Sequence, residues 1–338
     1  MNVLVTGGCG FIGSNLVKYL RRVRPEWKIV NFDKLTYAGN LENLKELEND
    51  PKHVFVKGDI GNRELVEYVL RTHQIDSVMH LAAESHVDRS ISGPEAFIIT
   101  NVLGSQILLE SCRTVGVKRF LMVSTDEVYG SLGPTGAFSE KTPLDPSSPY
   151  SASKTSADLI ALAYEHTFGL DVVVTRCSNN YGAYQFPEKL IPLMVINALN
   201  DKPLPVYGDG LNVRDWLHVE DHCSGPLLAL EKGKKGNVYN IGGGAERTNI
   251  EIVKLILNAV GKTESLIKYV KDRPGHDKRY AIDPTKIKTE LGWSAAHTFE
   301  KALGETVKWY LDNKPWWERV TSGAYRQYFE SQYKGRLS

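Results

Sequence analysis

The stretch NVLVTGGCGFIG, at residues 2–13, decides the fold of this chain. Its first five residues form an apolar run that predicts a short buried strand, and residues 15–22 predict a helix. The glycines fit both G-x-G-x-x-G and G-x-x-G-x-x-G. In such a loop, backbone N–H groups approach a pyrophosphate at the N-terminus of the helix, where the dipole favours anions. The loop therefore predicts a dinucleotide site with contacts from Gly7, Gly10, Phe11, Ile12 and Gly13.

An acidic residue ends the next predicted strand. The apolar run at 28–32 is followed by Asp33, about 20 residues after the glycines, as dinucleotide sites require. A carboxylate at this place accepts hydrogen bonds from the adenosine ribose hydroxyls and repels a 2′-phosphate. Asp33 therefore favours NAD over NADP as the cofactor.

Strand and helix signals continue to alternate after Asp33. Three further apolar runs predict strands and two stretches predict helices, the strands at 54–56, 77–81 and 120–123 and the helices at 62–73 and about 94–115. Such alternation predicts a parallel sheet with helices on both faces. The expected fold class is α/β, with a Rossmann-type doubly wound parallel sheet.

The pattern becomes less regular in the second half of the chain. We expect an NAD-binding domain over 1–178, completed by last strands from about 211–243. A smaller α/β domain over 179–338 is expected mainly to bind the substrate. Trp316, Trp317 and the tail to Ser338 are predicted to serve packing alone.

The composition limits the kinds of partner. Lysine and arginine number 41 against 40 acidic residues, so no overall charge attracts nucleic acid or an anionic membrane. No apolar run approaches the roughly 18 residues of a membrane span, and the N-terminus lacks the regions of a signal peptide. The four cysteines and nine histidines show no metal-ligand spacing. We expect a reduced cytoplasmic protein with no metal, no nucleic-acid partner and no membrane.

Three consecutive polar residues stand where the strand at 120–123 should end. They are Thr125, Asp126 and Glu127. In open α/β sheets, ligands bind beyond the carboxyl ends of the strands. A polar turn that caps the strand is the alternative, but the glycine loop and the pattern described next favour a catalytic site.

Tyr150 and Lys154 form a Tyr-x-x-x-Lys pattern after a proline-rich loop. Positions four apart share one face of a helix. An ammonium near the phenol favours the phenolate and lowers the pKa of a tyrosine from its reference of about 10. The pattern therefore predicts that Tyr150 acts as a base near neutral pH, with Lys154 as its charged neighbour.

Two predicted helices carry broad apolar surfaces. The apolar residues of the first are Phe97, Ile98, Ile99, Val102, Leu103, Ile107 and Leu108. The second, at 159–164, is apolar nearly all round. Such helices usually have cover on two sides. A homodimer through a helical interface is predicted, with burial inside the monomer as the alternative.

The chain resembles the extended short-chain dehydrogenase/reductase family over essentially its whole length. The strings that carry the resemblance are HLAAESHVDRSI (80–91), STDEVYG (124–130), PSSPYSASK (146–154), CSNNYG (177–182), FPEKLIP (186–192), RDWLHVEDH (214–222), YNIGG (239–243) and DRPGHDKRYAID (272–283). In that family a Ser/Thr, a Tyr and a Lys form the catalytic group. The resemblance therefore implies catalytic roles for Thr125, Tyr150 and Lys154.

Asp126 and Glu127 separate the branches of this family. Sugar-nucleotide epimerases carry small residues there, and UDP-glucuronate decarboxylases and GDP-mannose dehydratases typically read S-T-S-E. Paired Asp-Glu resembles the branch that dehydrates dTDP-glucose. The implied reaction oxidises C4 with NAD, eliminates water across C5 and C6, and returns the hydride to C6. Glu127 would take the C5 proton while Asp126 protonates the C6 oxygen, so the two carboxyls need opposite protonation states.

The remaining predicted contacts come from strand ends and from the resemblance. Asp59 and Ile60 would lie near the adenine, and small residues in Leu81-Ala82-Ala83 would let the cofactor lie close. The other predicted cofactor contacts are Lys34, Leu35, Thr36, Ser85, Thr100, Tyr150, Lys154 and Asn180. The predicted substrate contacts are Ser85, Thr125, Asn179, Lys189, Leu190, Pro205, Tyr207, Arg214, Asn249, Arg273 and His276. Three of these are cations suited to a diphosphate.

Other functions are compatible with the same fold. A different NDP-sugar dehydratase is one alternative, because thymine and uracil differ by one methyl group. An epimerase or decarboxylase is another, and Asp126 opposes it. A non-catalytic NAD-binding regulator would be expected to lose Tyr150, Lys154 or one of the acids, and none is lost. The deoxysugar pathway that uses the product stays open.

Overall fold

A computed structural model describes residues 1–322, and its largest feature is a parallel sheet. The strands are β1 (Asn2–Thr6), β2 (Lys28–Asp33), β3 (His53–Lys57), β4 (Ser77–His80), β5 (Arg119–Thr125), β6 (Val172–Cys177), β7 (Asn179–Tyr181), β8 (Leu204–Tyr207), β9 (Val213–His218), β10 (Val238–Ile241), β11 (Glu246–Thr248) and β12 (Ile267–Val270). Seven of them form the parallel sheet in the order β10-β6-β5-β4-β1-β2-β3. The order reverses between β1 and β4, where doubly wound folds bind their ligands.

Helices cover both faces of this sheet. They are α1 (Phe11–Val23), α2 (Arg63–Thr72), α3 (Val87–Ser92), α4 (Glu95–Phe97), α5 (Ser105–Val115), α6 (Pro149–Phe168), α7 (Leu190–Leu199), α8 (Val219–Lys232), α9 (Asn249–Ala259), α10 (Thr285–Leu291), α11 (Phe299–Asp312) and α12 (Lys314–Val320). Short 3₁₀ segments lie at Leu41–Leu47, Asp126–Tyr129 and Glu264–Leu266, and a π-helical segment lies at Ile98–Gly104. The predicted Rossmann-type α/β class is confirmed.

The apolar runs of the sequence explain why helices lie on both sides. In β1, Val3 and Val5 enter the core beside α1 and α8, whereas Leu4 enters the core beside α2, α5 and α6. Successive strand residues point to opposite faces, so an unbroken apolar run suits a strand covered twice. This arrangement leaves only the strand ends open for ligands.

A further core holds the part of the chain that follows β6. Its buried residues include Tyr181, Trp216 and Tyr310, and it lies mainly among α7, α9 and α11. Two small sheets accompany it, in the orders β11-β9-β7 and β12-β8. This second body of structure forms the wall opposite the main sheet.

The predicted return of several strands from 211–243 to the main sheet needs correction. β10 joins it beside β6, but β9 pairs with β7 and β11 instead. Asp215 in β9 accepts the backbone N–H groups of Gly243 at 3.0 Å and Ala245 at 2.8 Å. These bonds fasten β9 to the small sheet.

Two helix predictions also change. α1 begins at Phe11, directly after the glycines and before the predicted start at 15. The helix predicted at 94–115 is divided into α4, the π-helical segment and α5. Within that segment the Asn101 side chain turns inward, donating to Ser153 Oγ at 2.9 Å and accepting the Glu84 N–H at 2.8 Å. A buried polar anchor therefore accompanies the change of winding.

The remaining expectations concern packing and partners. Trp316 and Trp317 are buried, as predicted, whereas the tail at 323–338 lies outside the described residues. All four cysteines are free and buried. Over residues 1–322, the helices are too short or too polar to span a bilayer. In the same range there is no group of three or more side chains arranged to hold a metal ion.

Candidate active site

One cleft runs along the carboxyl ends of the central strands, and it collects nearly all the predicted cofactor contacts. Those that line it are Gly7, Gly10, Phe11, Ile12, Gly13, Asp33, Lys34, Thr36, Asp59, Ile60, Leu81, Ala82, Ala83, Ser85, Thr100, Tyr150, Lys154 and Asn180. The catalytic candidates Thr125, Asp126 and Glu127 line the same cleft. Groups predicted for binding and for chemistry therefore meet in one place.

The glycine loop is shaped by close backbone contacts. Gly7 has a φ of +72°, and a Cβ on it would lie 2.8 Å from the Ala82 Cα. A Cβ on Gly13 would lie 2.1 Å from the Gly7 carbonyl oxygen. Side chains at these positions would collide with the backbone of the loop and of the neighbouring strand end, so only glycine allows the tight strand-to-helix turn that dinucleotide sites use.

Asp33 is held at the end of β2 by two backbone groups. Its Oδ2 accepts the Cys9 N–H and its Oδ1 accepts the Leu35 N–H, both at 2.8 Å. Burial raises the pKa of Asp33, and these two hydrogen bonds oppose the rise. The Leu35 side chain does not line the cleft, because a left-handed backbone with φ of +57° turns this residue toward the core. The predicted contact of Leu35 is therefore corrected to a supporting role.

Lys34 forms an ion pair at the other end of this region. Its Nζ lies 2.7 Å from Asp59 Oδ2, and both side chains are about half exposed. This pair joins the ends of β2 and β3 at the rim where the adenine was predicted.

Thr125 and the two acids are placed by the end of β5. Thr125 caps the 3₁₀ turn Asp126–Tyr129, since its Oγ1 accepts the Glu127 N–H at 3.3 Å. The same hydroxyl donates to Asp126 Oδ1 at 3.3 Å. Asp126 is 1% exposed, and its Oδ2 has no hydrogen-bond partner within residues 1–322. An acid with an unsatisfied buried oxygen favours the protonated form.

The charges around the two carboxyls are unequal. Burial, Glu127 and Asp215 raise the pKa of Asp126 well above its ordinary value, with Arg214 opposing them. Burial also raises the pKa of Glu127, but three cations oppose that rise, namely Arg273, Lys189 and Arg214. Neighbouring groups with pKa values pushed apart can serve as acid and base. Here the surroundings oppose ionisation more strongly at Asp126 than at Glu127, where three cations favour the carboxylate.

Tyr150 stands at the start of α6 because the sequence before it caps that helix. Ser148 and Ser151 form a reciprocal capping box, and Pro149 occupies the first turn. The phenol therefore faces the strand ends, where its ring packs edge-on against Phe97 with centroids 6.2 Å apart.

The predicted lowering of the Tyr150 pKa is wrong for this structure. Burial is the largest effect and raises the pKa well above its ordinary value, the Glu127 charge adds to the rise, and a hydrogen bond with Thr125 opposes it. Lys154 donates from Nζ to the Val123 carbonyl at 2.9 Å, and burial lowers its own pKa. The prediction from the sequence considered the Lys154 charge but not the exclusion of water around Tyr150.

The predicted substrate contacts divide into two groups. Ser85, Thr125, Asn179 and Lys189 line the cleft, whereas the others do not, namely Leu190, Pro205, Tyr207, Arg214, Asn249, Arg273 and His276. Leu190 and Asn249 begin α7 and α9, and Pro205 lies in β8. The structure therefore does not bring these three into the cleft, because each belongs to the framework of the second core.

The two arginines outside the cleft still act on its charge. Arg214 is buried, donates to the Asp277 carbonyl at 3.0 Å, and stacks over the Tyr280 ring at 4.4 Å. Arg273 lies 3.6 Å from an oxygen of Asp88. Both oppose the rise in the Glu127 pKa. They therefore belong to the electrostatic surroundings of the base.

Tyr207 and His276 form a neighbouring group. The Tyr207 hydroxyl donates to Asp88 Oδ2 at 3.0 Å, and its ring lies 6.1 Å from that of His276. His276 Nδ1 lies 2.7 Å from Asp272, and burial lowers the pKa of His276 to about 4. The imidazole is therefore neutral near pH 7.

Sequence reasoning missed a set of hydrogen-bonded side chains at the cleft, formed by Tyr37, Arg89 and the buried Glu188. Glu188 accepts the Tyr37 hydroxyl at 3.0 Å and the Arg89 Nε–H at 3.0 Å. Tyr37 and Glu188 are 151 positions apart, so no local pattern connects them. The signal that could have drawn attention is the acidic neighbour of Lys189 within FPEKLIP.

Comparison with known proteins agrees with this geometry. The sequence matches the family described as GDP-mannose 4,6 dehydratase over residues 4–306, and the chain belongs to that family. It is 55% identical to the dTDP-glucose 4,6-dehydratase of Xanthomonas campestris pv. campestris, over 96% of this chain and 97% of that protein. The resemblance to extended short-chain dehydrogenases/reductases is confirmed.

Solved structures show the same likeness. The dTDP-glucose 4,6-dehydratase of Bacillus anthracis, in complex with NAD, superposes with a TM-score of 0.89 at 55% identity, covering 95% of this chain and 99% of that one. The dTDP-glucose 4,6-dehydratase of Streptomyces venezuelae, with NAD bound, gives a TM-score of 0.92 at 50% identity, covering 95% and 100%.

Proposed function

We propose that this chain catalyses the NAD-dependent dehydration of dTDP-glucose to dTDP-4-keto-6-deoxy-glucose. The observation that carries the proposal is the pair of adjacent acids in the cleft with Tyr150: Asp126 is buried with one unpaired oxygen, and three cations act on Glu127. The names of relatives at 50–55% identity support the same activity and the same cofactor. The enzyme is a hydro-lyase that uses NAD.

The residues divide the reaction among them. Bound NAD supplies the hydride acceptor for the first step and the hydride donor for the last, so it ends unchanged. Tyr150 removes the proton of the C4 hydroxyl while Thr125 hydrogen-bonds the same oxygen. The resulting ketone acidifies C5, from which Glu127 takes the proton. Asp126 protonates the C6 oxygen, which leaves as water, and C5 regains a proton when the hydride is returned to C6.

The electrostatics of the cleft suit this sequence of steps. Because burial raises the pKa of Tyr150, loss of its proton depends on positive charge nearby, and Lys154 is the cation on the same helix face. Lys189, Arg214 and Arg273 are suited to hold the diphosphate. Their positive charge also opposes the rise in the Glu127 pKa, as a role as base requires.

An epimerase is the second candidate, because it would use the same glycine loop, Tyr150 and Lys154. It would return the hydride to C4 and would have no task for a protonated acid at C6. Asp126 therefore favours the dehydratase. A decarboxylase is opposed by the same residue.

Assembly and location extend the proposal. We propose a homodimer through α5, α6 and the π-helical segment, with each protomer divided into an NAD-binding part over 1–178 and a nucleotide-sugar-binding part over 179–338. The support is a group of apolar side chains, each about half exposed, namely Ile98, Ile99, Leu103, Leu159 and Phe168. Apolar surface of this kind marks protein interfaces. A cytoplasmic role in deoxysugar synthesis fits the substrate.

Isotope labelling tests the proposed reaction. dTDP-glucose and UDP-glucose, each with deuterium at C4, are incubated separately with the protein. The expected product from dTDP-glucose is a 4-keto-6-deoxy sugar with that deuterium at C6, and heavy water should place one solvent deuterium at C5. Deuterium that stays at C4 would assign an epimerase instead, and equal turnover of UDP-glucose would remove the preference for thymine.

A further inference from the structure

A fully buried ion pair lies directly behind the catalytic face of α6. Asp158 follows Lys154 by four positions, so the two side chains share a helix face. Arg176 in β6 donates from Nε to Asp158 Oδ2 at 2.9 Å. The side chains are 3% and 0% exposed for the arginine and the aspartate. The proposed mechanism gives neither residue a task.

Arg176 is fixed by a second contact as well as by Asp158. Its NH1 donates to the Tyr129 hydroxyl at 2.9 Å, and that hydroxyl donates to Asn240 at 2.8 Å. Tyr129 ends the 3₁₀ turn that begins with Asp126. The buried pair is therefore tied both to the turn that carries the acids and to the helix that carries Tyr150 and Lys154.

Stability alone is a weak reason for such a pair. Removing two charges from water costs several kcal/mol per ion, and apolar replacements are often neutral or stabilising. A carboxylate without access to solvent acts strongly on any neighbouring cation, because little water screens it. The cation on the same helix face is Lys154.

The charges that face Lys154 come from three elements. On α6 they are Tyr150 and Asp158, on β6 Cys177 and Arg176, and on β4 His80. Burial lowers the pKa of Lys154, and the Asp158 charge opposes that change more than the Cys177 thiol does. Burial, and after it the Lys154 charge, lower the pKa of His80 to about 3. Burial also raises the pKa of Asp158, and the charges of Arg176 and then Lys154 oppose that rise, so Asp158 and Lys154 favour each other's charged form.

We propose that Asp158 is a positioning residue that keeps Lys154 charged within the closed, dry cleft, and that Arg176 holds Asp158 in place for this task. The inference rests on the proposed function, because it concerns the base that oxidises C4. The step itself is unchanged: the C4 hydroxyl proton passes to Tyr150 and the hydride passes to NAD. Asp158 touches neither the substrate nor the cofactor.

The sign of the effect follows from the charge on lysine. Lysine is charged below its pKa, and Asp158 raises that pKa against burial. Without the Asp158 charge, Lys154 loses its proton at lower pH. Tyr150 then loses the neighbouring cation that favours its phenolate. Without the Asp158 charge, the rate of C4 oxidation should therefore decline at a lower pH on the alkaline side of the profile.

The experiment follows reduction of NAD already bound to the protein after mixing with dTDP-glucose, in a single turnover across a range of pH. In Asp158→Asn the alkaline limb of the pH–rate profile should move to lower pH by about one pH unit. Asp158→Glu, which keeps the charge, should return the limb toward that of the unaltered protein. If the alkaline limb of Asp158→Asn coincides with that of the unaltered protein, the proposal is overturned.

Controls separate this role from simple loss of stability. Asp158→Asn combined with Arg176→Gln leaves no unpaired buried charge, and the limb should still move to lower pH if the pair acts on Lys154. Asp50→Asn breaks the ion pair with Arg21 between the end of α1 and the turn before β3, where Nε and Oδ2 are 2.7 Å apart. This variant should lower the free energy of unfolding in urea without moving the limb. An equal shift in Asp50→Asn would overturn the proposal.

The proposed function has its own distinct failure. If the unaltered protein does not reduce its bound NAD with dTDP-glucose, the reaction is wrongly assigned. If the unaltered protein does so while every Asp158 variant keeps its pH limb, only the role of Asp158 is wrong.

Discussion

The two halves of the cleft are formed by different kinds of chemical group. The cofactor half consists largely of backbone and small residues from adjoining strand ends, such as Gly7, Gly13 and Ala82. The acid half is lined by the charged side chains of Asp126, Glu127 and Lys189, and the charges of Arg214 and Arg273 act on Glu127 from outside the cleft. The cofactor half distinguishes ligands by their shape, whereas the acid half distinguishes them by their charge.

This difference shows what each half can tolerate. Backbone contacts leave no room for added atoms, so a single methyl group should be decisive there. The acid half has space for isosteric changes but depends on the difference in protonation between Asp126 and Glu127. The predictions below test this contrast, from complete loss of activity to a moderate loss of affinity.

The strongest test adds one methyl group to the cofactor half. In Gly13→Ala the new Cβ would lie 2.1 Å from the Gly7 carbonyl and 2.7 Å from the Gly8 Cα, both backbone atoms that cannot rotate away. The protein should retain no NAD after gel filtration, and activity should be abolished. Gly304→Ala, within α11 and outside the cleft, is the matched control, because a Cβ there would have no heavy atom within 4 Å. Comparable NAD retention in the two variants would contradict a cofactor half selected by shape.

Glu127→Gln should cause the next largest effect, because it removes the base without changing the shape of the side chain. Formation of the 4-keto-6-deoxy product should fall by about a thousandfold, within the range for general base catalysis. Exchange of the C5 hydrogen with heavy water should fall equally, while reduction of bound NAD should persist. If C5 exchange continued at the original rate, another base would have to act there.

Asp126→Asn should cost about a hundredfold in product formation, because the C6 hydroxyl leaves poorly without a proton donor. A substrate with fluorine at C6 offers a better leaving group. The loss with that substrate should therefore be much smaller, as measured by release of fluoride. Equal losses for the two substrates would show that Asp126 does not protonate the leaving oxygen.

Arg214→Gln should raise KM for dTDP-glucose by about tenfold to a hundredfold, since hydrogen bonds to charged groups contribute about 1.5–3 kcal/mol. The NAD content should stay unchanged because the change lies in the other half. Arg247→Gln is the control, as Arg247 is the sheet partner of Arg214 and forms an exposed ion pair with Glu300. Similar KM values in both variants would mean that Arg214 does not bind the diphosphate.

The same contrast explains which features the sequence could predict. Gly7, Gly13 and Asp33 lie within one strand–helix–strand unit, so their spacing alone indicates their roles. The adjacent pair Asp126 and Glu127 is equally visible in the sequence, and its roles as acid and base stay a prediction. These are local features, and local patterns are what a sequence displays.

The failures all involve distance along the chain or burial. The rise in the Tyr150 pKa depends on how completely the folded chain excludes water, which spacing does not reveal. The bond between Tyr37 and Glu188 joins distant segments. The Asp215 carboxyl beside the paired β9 and the Asn101 amide in the π-helical segment bond to backbone groups 28 and 17 positions away. In each case a polar contact formed only by the folded protein accompanies the local structure.

The π-helical segment Ile98–Gly104 makes the cleft more sensitive to the number of residues in this segment than to their identity. Its seven residues place Thr100 in the cleft, Asn101 against Ser153, and Ile99 and Leu103 outward. Short π-helical turns inside helices are rare and are often found at functional sites. Substitutions here exchange one side chain for another, whereas deletion of a single residue would rotate three surfaces at once.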